Sequence, residues 1–209
     1  MNKILILFSI IISITYSAQD MTNNKFGKGL INVMSKDSSW STKVAFRFQS
    51  QYEGNYDFSD SSFSDRAFVR RARIKGSGYA FSPRLKYKFE YDVANGYVLD
   101  AVLKWNFSGN WTVWFGQTKL PGNIERVFSS QKLQLVDRSL LNSQFTLDRD
   151  AGFQLRHHFK IGNNFIVREK FAVSQGEGLN QLGSSSGNDY TARLELLPFG
   201  KFTNKGDYF

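Results

Sequence analysis

Apolar and polar residues alternate along most of the chain beyond position 43. In 43–53, Val44, Phe46, Phe48 and Tyr52 fall on one face, and Lys43, Arg47, Gln49, Gln51 and Glu53 on the other. Within 68–79, Ala72 and Ile74 oppose Arg71, Arg73, Lys75 and Ser77. Leu85, Tyr87, Phe89 and Tyr91 alternate with Lys86, Lys88, Glu90 and Asp92. Leu99, Ala101, Leu103, Trp105 and Phe107 alternate with Asp100, Val102, Lys104 and Asn106. The period returns in Phe153, Leu155 and Phe159 against Gln154, Arg156 and His158, then in Phe165, Val167, Phe171 and Val173 against Arg168, Lys170 and Ser174. It ends with Tyr190, Ala192, Leu194 and Leu196 against Thr191, Arg193 and Glu195. A period of two is the mark of a strand with one apolar face. With 111–119, which is strand-like but poorly separated into faces, the pattern predicts about eight strands.

These runs are long for a soluble β-sandwich, whose strands average ~5–6 residues. They match the roughly 9–11 residues that a tilted strand needs to cross a bilayer. Short turns near 82–83, 108–110, 162–164 and 198–201 alternate with mostly longer connections at 54–66, 93–97, 120–151 and 176–188. Aromatics gather beside the short turns: Tyr79 and Phe81, Trp105, Phe107 and Trp111, Phe159 and Phe165. Alternating short and long connections with an aromatic girdle are features of outer-membrane barrels. The fold expected is therefore all-β, a transmembrane antiparallel β-barrel. A secreted or surface β-sandwich that binds acidic glycans is the alternative; it explains the alternation but neither the connection lengths nor the aromatics.

The start of the chain agrees with export. Lys3 precedes an apolar run over 4–14, and small residues end it at Ser17 and Ala18. This reads as a Sec signal peptide over 1–18, followed by a lead-in over 19–42. Its removal with Lys3 lowers the formal charge from +9 to +8. An exported chain makes nucleic acid an improbable partner and leaves small anionic solutes and outer-membrane lipid.

The charge is unevenly placed. If the apolar face meets lipid, the other face carries Lys43, Arg47, Arg71, Arg73, Lys75, Lys86, Lys88, Lys104, Lys119, Arg156, Arg168, Lys170 and Arg193. Its acids are fewer: Glu53, Glu90, Asp92, Asp100 and Glu195. Rings of Arg and Lys in a pore favour anions, and Arg adds bidentate recognition of phosphate-like groups. The bland alternative is an unselective, water-filled wall. Arg70 and Glu169 fall on the apolar face by strict parity, which a membrane boundary or a β-bulge would explain. The stretch 120–150 lacks sustained alternation and holds Glu125, Arg126, Asp137, Arg138, Asp148, Arg149 and Asp150. Loops of this length are usually functional, and one folded into the lumen would constrict it; an outward cover over the mouth is the alternative.

Catalytic and cofactor chemistry is not indicated. There is no P-loop, Gly-x-Ser-x-Gly or plausible triad. With no cysteine there is no thiolate metal site. His157 and His158 are adjacent, so in a strand they point to opposite faces and do not share an ion.

Several segments together resemble the phosphate-selective porin O/P family of Gram-negative outer membranes. They are Phe68, Val69, Arg70, Arg71, Ala72 and Arg73; Gly116, Gln117, Thr118, Lys119, Leu120 and Pro121; Glu125 and Arg126; Val136, Asp137, Arg138, Ser139 and Leu140; Arg149, Asp150, Ala151 and Gly152; and Gly176, Glu177 and Gly178. The likeness covers roughly 40–209 and departs from the family pattern at Thr118 and Gly122. It implies a 16-stranded trimeric barrel with its third loop in the pore, which places a constriction at 120–150. On that reading 43–209 is a partial barrel, about half of the whole, and 202–209 enters a ninth strand.

Overall fold

A computed structural model of the chain describes residues 30–133, 135, 137–181 and 187–201. The expected signal peptide, residues 19–29 of the lead-in and the expected start of a further strand at 202–209 lie outside the described residues. The described chain is almost entirely β: an antiparallel sheet of nine strands in chain order. The strands are β1 (Ile31–Met34), β2 (Ser41–Asp57), β3 (Ser62–Ala80), β4 (Ser82–Asp92), β5 (Tyr97–Ser108), β6 (Trp111–Lys119), β7 (Arg149–Ile161), β8 (Phe165–Ser174) and β9 (Asp189–Leu197). Two short helices, α1 (Ile124–Val127) and α2 (Leu140–Gln144), lie between β6 and β7. No helix among the described residues is long and apolar enough to cross a membrane. The all-β antiparallel expectation holds. The added strand, β1, pairs Ile31 with Val44 and Met34 with Ser41; four residues are too few to display a period.

The chain divides into two units. The first holds β1–β3 with the two ends of β4. Its register sets Phe46 opposite Ile74 and Phe48 opposite Ala72, while Arg47 faces Arg73 and Gln49 faces Arg71. The apolar and basic faces predicted from parity are thus kept. The register then slips, with Gln49 on Arg71 but Ser50 on Val69. Arg70 is the residue skipped, so a β-bulge accounts for its broken parity. Beyond the bulge the hairpin runs on through Tyr56 opposite Phe63 and Asp57 opposite Ser62. The connection predicted over 54–66 is therefore mostly ladder. Its Tyr and Phe residues are too widely interrupted by Ser, Asn, Gly and Asp to display a period, while backbone pairing continues.

The second unit holds 87–91 and β5–β9. Its glycines permit close strand approach. Gly116 and Gly152 sit opposite each other. A Cβ on Gly116 would come within 2.2 Å of Ala101 O, and one on Gly152 within 2.2 Å of Val173 O. Gly116 also has φ +114°, which side-chain-bearing residues avoid.

Burial is inverted relative to a water-soluble domain. Asp92 is 0% and Asp100 1% exposed, and Arg47, Glu90, Arg149 and Asp150 are buried too. By contrast Phe46, Phe48, Phe115, Phe153, Leu194 and Leu196 are exposed. Charged groups are almost never fully buried unless paired, and so many exposed large apolar side chains in each unit call for an apolar surrounding.

Candidate functional site: the basic face and the segment above it

In the first unit four arginines crowd one face. Direct opposition of Arg47 and Arg73 in the ladder is unfavourable in itself, since like charges across a strand pair repel. Nearby acceptors offset it. Arg73 Nε lies 2.9 Å from Asp92 Oδ2. Gln49 Oε1 accepts from Arg47 Nη2 at 3.1 Å and from Arg71 Nη1 at 2.8 Å. Arg70, brought round by the bulge, donates to Gln51. An amide oxygen satisfies a guanidinium N–H without cancelling its charge, so these bonds order the arginines. Lys75 pairs in the ladder with Ala45, on the same face as Arg73. Lys86 lies exposed on β4.

The second unit gathers the rest. Lys88 Nζ contacts Glu90 Oε2 at 3.0 Å and Asp100 Oδ2 at 2.6 Å. Asp100 also accepts from Thr118 Oγ1 at 2.9 Å and from Arg149 Nε and Nη2, each at 3.3 Å. On β9, Glu195 is shared by three cations: Arg193 at 2.9 Å, Arg168 at 3.4 Å, and Lys170. One carboxylate among three cations leaves a local positive excess. Trp114 lies between Lys104, 3.9 Å from its ring centroid, and Arg156, at 3.5 Å. Both contacts are cation–π interactions, and they place an aromatic side chain on the basic face.

Residues 120–148 connect β6 to β7, and 119–128 with Arg138 are bonded to one another and to this same face. Lys119 Nζ donates to the carbonyls of Arg126 at 2.7 Å and Phe128 at 3.0 Å. Arg193 Nη1, from β9, donates to Gly122 O at 2.6 Å. Leu120 N donates to Asp148 O at 2.9 Å and closes the base of the segment. Arg138 donates to the carbonyls of Glu125 and Phe128. Glu125 receives the Ser139 amide at 2.7 Å and its hydroxyl at 2.6 Å, tying α1 to the start of α2. The Ser139 hydroxyl, and then its backbone N–H, hold the Glu125 carboxyl below its ordinary 4.5. Burial, followed by the nearby Arg126 charge, lowers Arg138 from its usual range.

Of the predicted loop residues, Glu125, Arg126 and Arg138 sit in the segment's own bonding network, and Asp137 is exposed. Arg149 is placed differently: it opens β7 and is buried in the sheet. Its side chain pairs with Asp100 in the register-aligned face, so hydrogen bonding draws it into the strand. The uncharged supporting residues Gln49, Gln51, Trp114, Thr118 and Ser139 escape a reading by charge alone, whereas Asp148 is among the charged residues of 120–150. Of the uncharged ones only Trp114 left a trace in the sequence, in the poorly separated faces of 111–119.

Glu169, the other parity exception, stays on the outward apolar face. It faces His157 across the ladder, with Nδ1 2.9 Å from Oε2. The His157 ring stacks on Trp111 at 4.0 Å, beside the turn at 109–110. The carboxylate is thus paired and set among ring systems.

Among known protein families, the chain matches the one described as phosphate-selective porin O and P, over residues 42–199. No curated protein matches it.

Proposed function

The chain belongs to the phosphate-selective porin O and P family, which makes it a porin, and on that premise we propose that it forms wall and constriction of an outer-membrane channel that favours small anions such as phosphate. The observation that carries this reading is the inverted burial of the sheet, with its long β6–β7 segment hydrogen-bonded to the basic face rather than projecting from the edge. Arg47, Arg71, Arg73 and Lys75 in the first unit line the anion pathway. So do Lys88, Lys104, Lys119, Arg156, Arg168, Lys170 and Arg193 in the second. Lys86 belongs to the same face. Bonds from Lys119 and Arg193 to the segment's carbonyls support an inward-folded 120–148 over an outward cover. Passive diffusion needs no catalytic group, and a wall rich in Arg and Lys raises the local concentration of anions. Export through a Sec signal, residence in the outer membrane of a Gram-negative bacterium and assembly as a trimer complete the proposal.

The test is the zero-current potential of the full-length protein in a planar bilayer across a KCl gradient. Wild type gives the sign of anion preference, and the Arg71→Gln/Arg73→Gln variant moves the potential towards zero. Cation preference in the wild type would overturn the anion reading.

A further inference from the structure

The β6–β7 segment is held to the sheet by a chain of ion pairs that passes through one half-buried carboxylate. Asp100, on β5, is fixed by Lys88, Thr118 and Arg149. Arg149 uses Nε and Nη2 on Asp100, which leaves Nη1 to reach Asp148 Oδ1 at 3.4 Å. The second oxygen of Asp148 takes Arg126 of α1. The main-chain oxygen of Asp148 accepts Leu120 N at 2.9 Å. Both ends of the segment and its first helix therefore meet at this one residue.

The surroundings make its charge decisive. Lys119 Nζ and Arg138 Nη2 converge on one carbonyl, Phe128 O, each at 3.0 Å. Arg126 and Arg149 approach from either side of Asp148. Four cations gathered at one site repel, and the carboxylate that touches two of them holds the group together. We propose that Asp148 is a positioning residue that clasps the segment to the wall, in a relay from Asp100 through Arg149 and Asp148 to Arg126, and so sets the width and selectivity of the passage. This rests on reading 120–148 as the constriction. Asp148 itself touches no solute on this reading; it acts through Arg126 and the placement of α1.

The chain has no cysteine, so a single Gln131→Cys carries a nitroxide label in the segment. The full-length labelled protein is compared with Asp148→Asn, Arg126→Gln, the double variant and Arg126→Lys. Asn and Gln keep the shape and remove only charge. Each neutral variant sharpens the label's spectrum and raises single-channel conductance. The opening equilibrium of the segment rises roughly tenfold, the factor expected for loss of one charged hydrogen bond. The double variant does no more than the worse single one, because both break the same link. Arg126→Lys keeps most of the wild-type behaviour. High KCl sharpens the wild-type spectrum but leaves Asp148→Asn unchanged, since the screening length falls from about 10 Å at 0.1 M to about 3 Å at 1 M. Equal spectra and conductance in wild type and Asp148→Asn would overturn the relay. Absence of any channel in the wild type would instead overturn the porin reading of this chain, while the spectra would still decide the clasp.

Discussion

Single side chains on this protein act by giving charged groups acceptors, some charged and some not. Gln49 and Gln51 offer amide oxygens to the arginines of the first unit, backbone carbonyls take Lys119 and Arg138, and Arg193 joins a carbonyl to its pair with Glu195. Glu125 is the counter-case, a carboxylate satisfied by the amide and hydroxyl of Ser139. Both donors favour the ionised form, so its folded value lies below the ordinary 4.5. The sign follows from linkage. The tie between α1 and α2 is at full strength above the ordinary value and weakens as pH falls through the lower, folded one. A nitroxide at Gln131→Cys, titrated downward from neutral, gains mobility only on the acid side of that window. In Glu125→Gln the label is more mobile at neutral pH and loses this acid step. An unchanged profile in Glu125→Gln would assign the tie no part in holding the segment.

Whole strands follow from the period of the sequence where one face must stay apolar, and only there. β5, β7, β8 and β9 are legible because Leu, Phe and Val recur at every second position. The tip of the β2–β3 hairpin reads as loop, because Ser, Asp, Asn and Gly interrupt its few aromatics and hide the period. The bulge at Arg70 was visible only as a parity error: an inserted residue shifts the count by one without changing composition. At the candidate site the charged residues were legible from parity. Their partners were not, because an amide, a hydroxyl or a Trp carries no sign of which neighbour it will meet. Arg149 shows the limit: lack of alternation assigned it to the loop, whereas the buried Asp100 carboxylate holds it in β7. Close packing of the strands rests on Gly116 and Gly152. For Gly116→Ala, the positive φ and the 2.2 Å approach to Ala101 O predict a loss of more than about 2 kcal/mol. Gly152→Ala, with backbone oxygen equally near, behaves alike. The loss is read as a lower unfolding midpoint in urea for the lipid-reconstituted protein. Ala101→Gly, which leaves that carbonyl in place, does not relieve it. A wild-type midpoint in both glycine variants would mean that the strands can separate at no cost.

At the scale of the molecule, the decisive property is which face meets an apolar medium. A soluble sandwich and a membrane barrel share alternation, and the sequence alone separates them by connection lengths and aromatic placement. Burial separates them on different grounds, because charged residues such as Asp92, Asp100 and Arg149 are buried while Phe46, Phe48, Phe115 and Phe153 are exposed. That difference has an energetic consequence at Phe48. It is 71% exposed and stands opposite Ala72 in the ladder, so little packing is lost when it is replaced. In water, Phe48→Arg on such a site is near neutral, as surface substitutions usually stay within about 0.5 kcal/mol. Facing lipid, an arginine on the outer surface costs up to about 2–4 kcal/mol, most at the bilayer midplane and least near its edges. The inner face gives the matched control, because Lys43→Arg retains charge where water is available and is expected to cost nothing measurable. Urea titration of the full-length protein in phospholipid vesicles resolves the two. A lower midpoint for Phe48→Arg beside an unchanged one for Lys43→Arg fits strands that face lipid. Equal midpoints would place the Phe-rich face in water and return the chain to the sandwich.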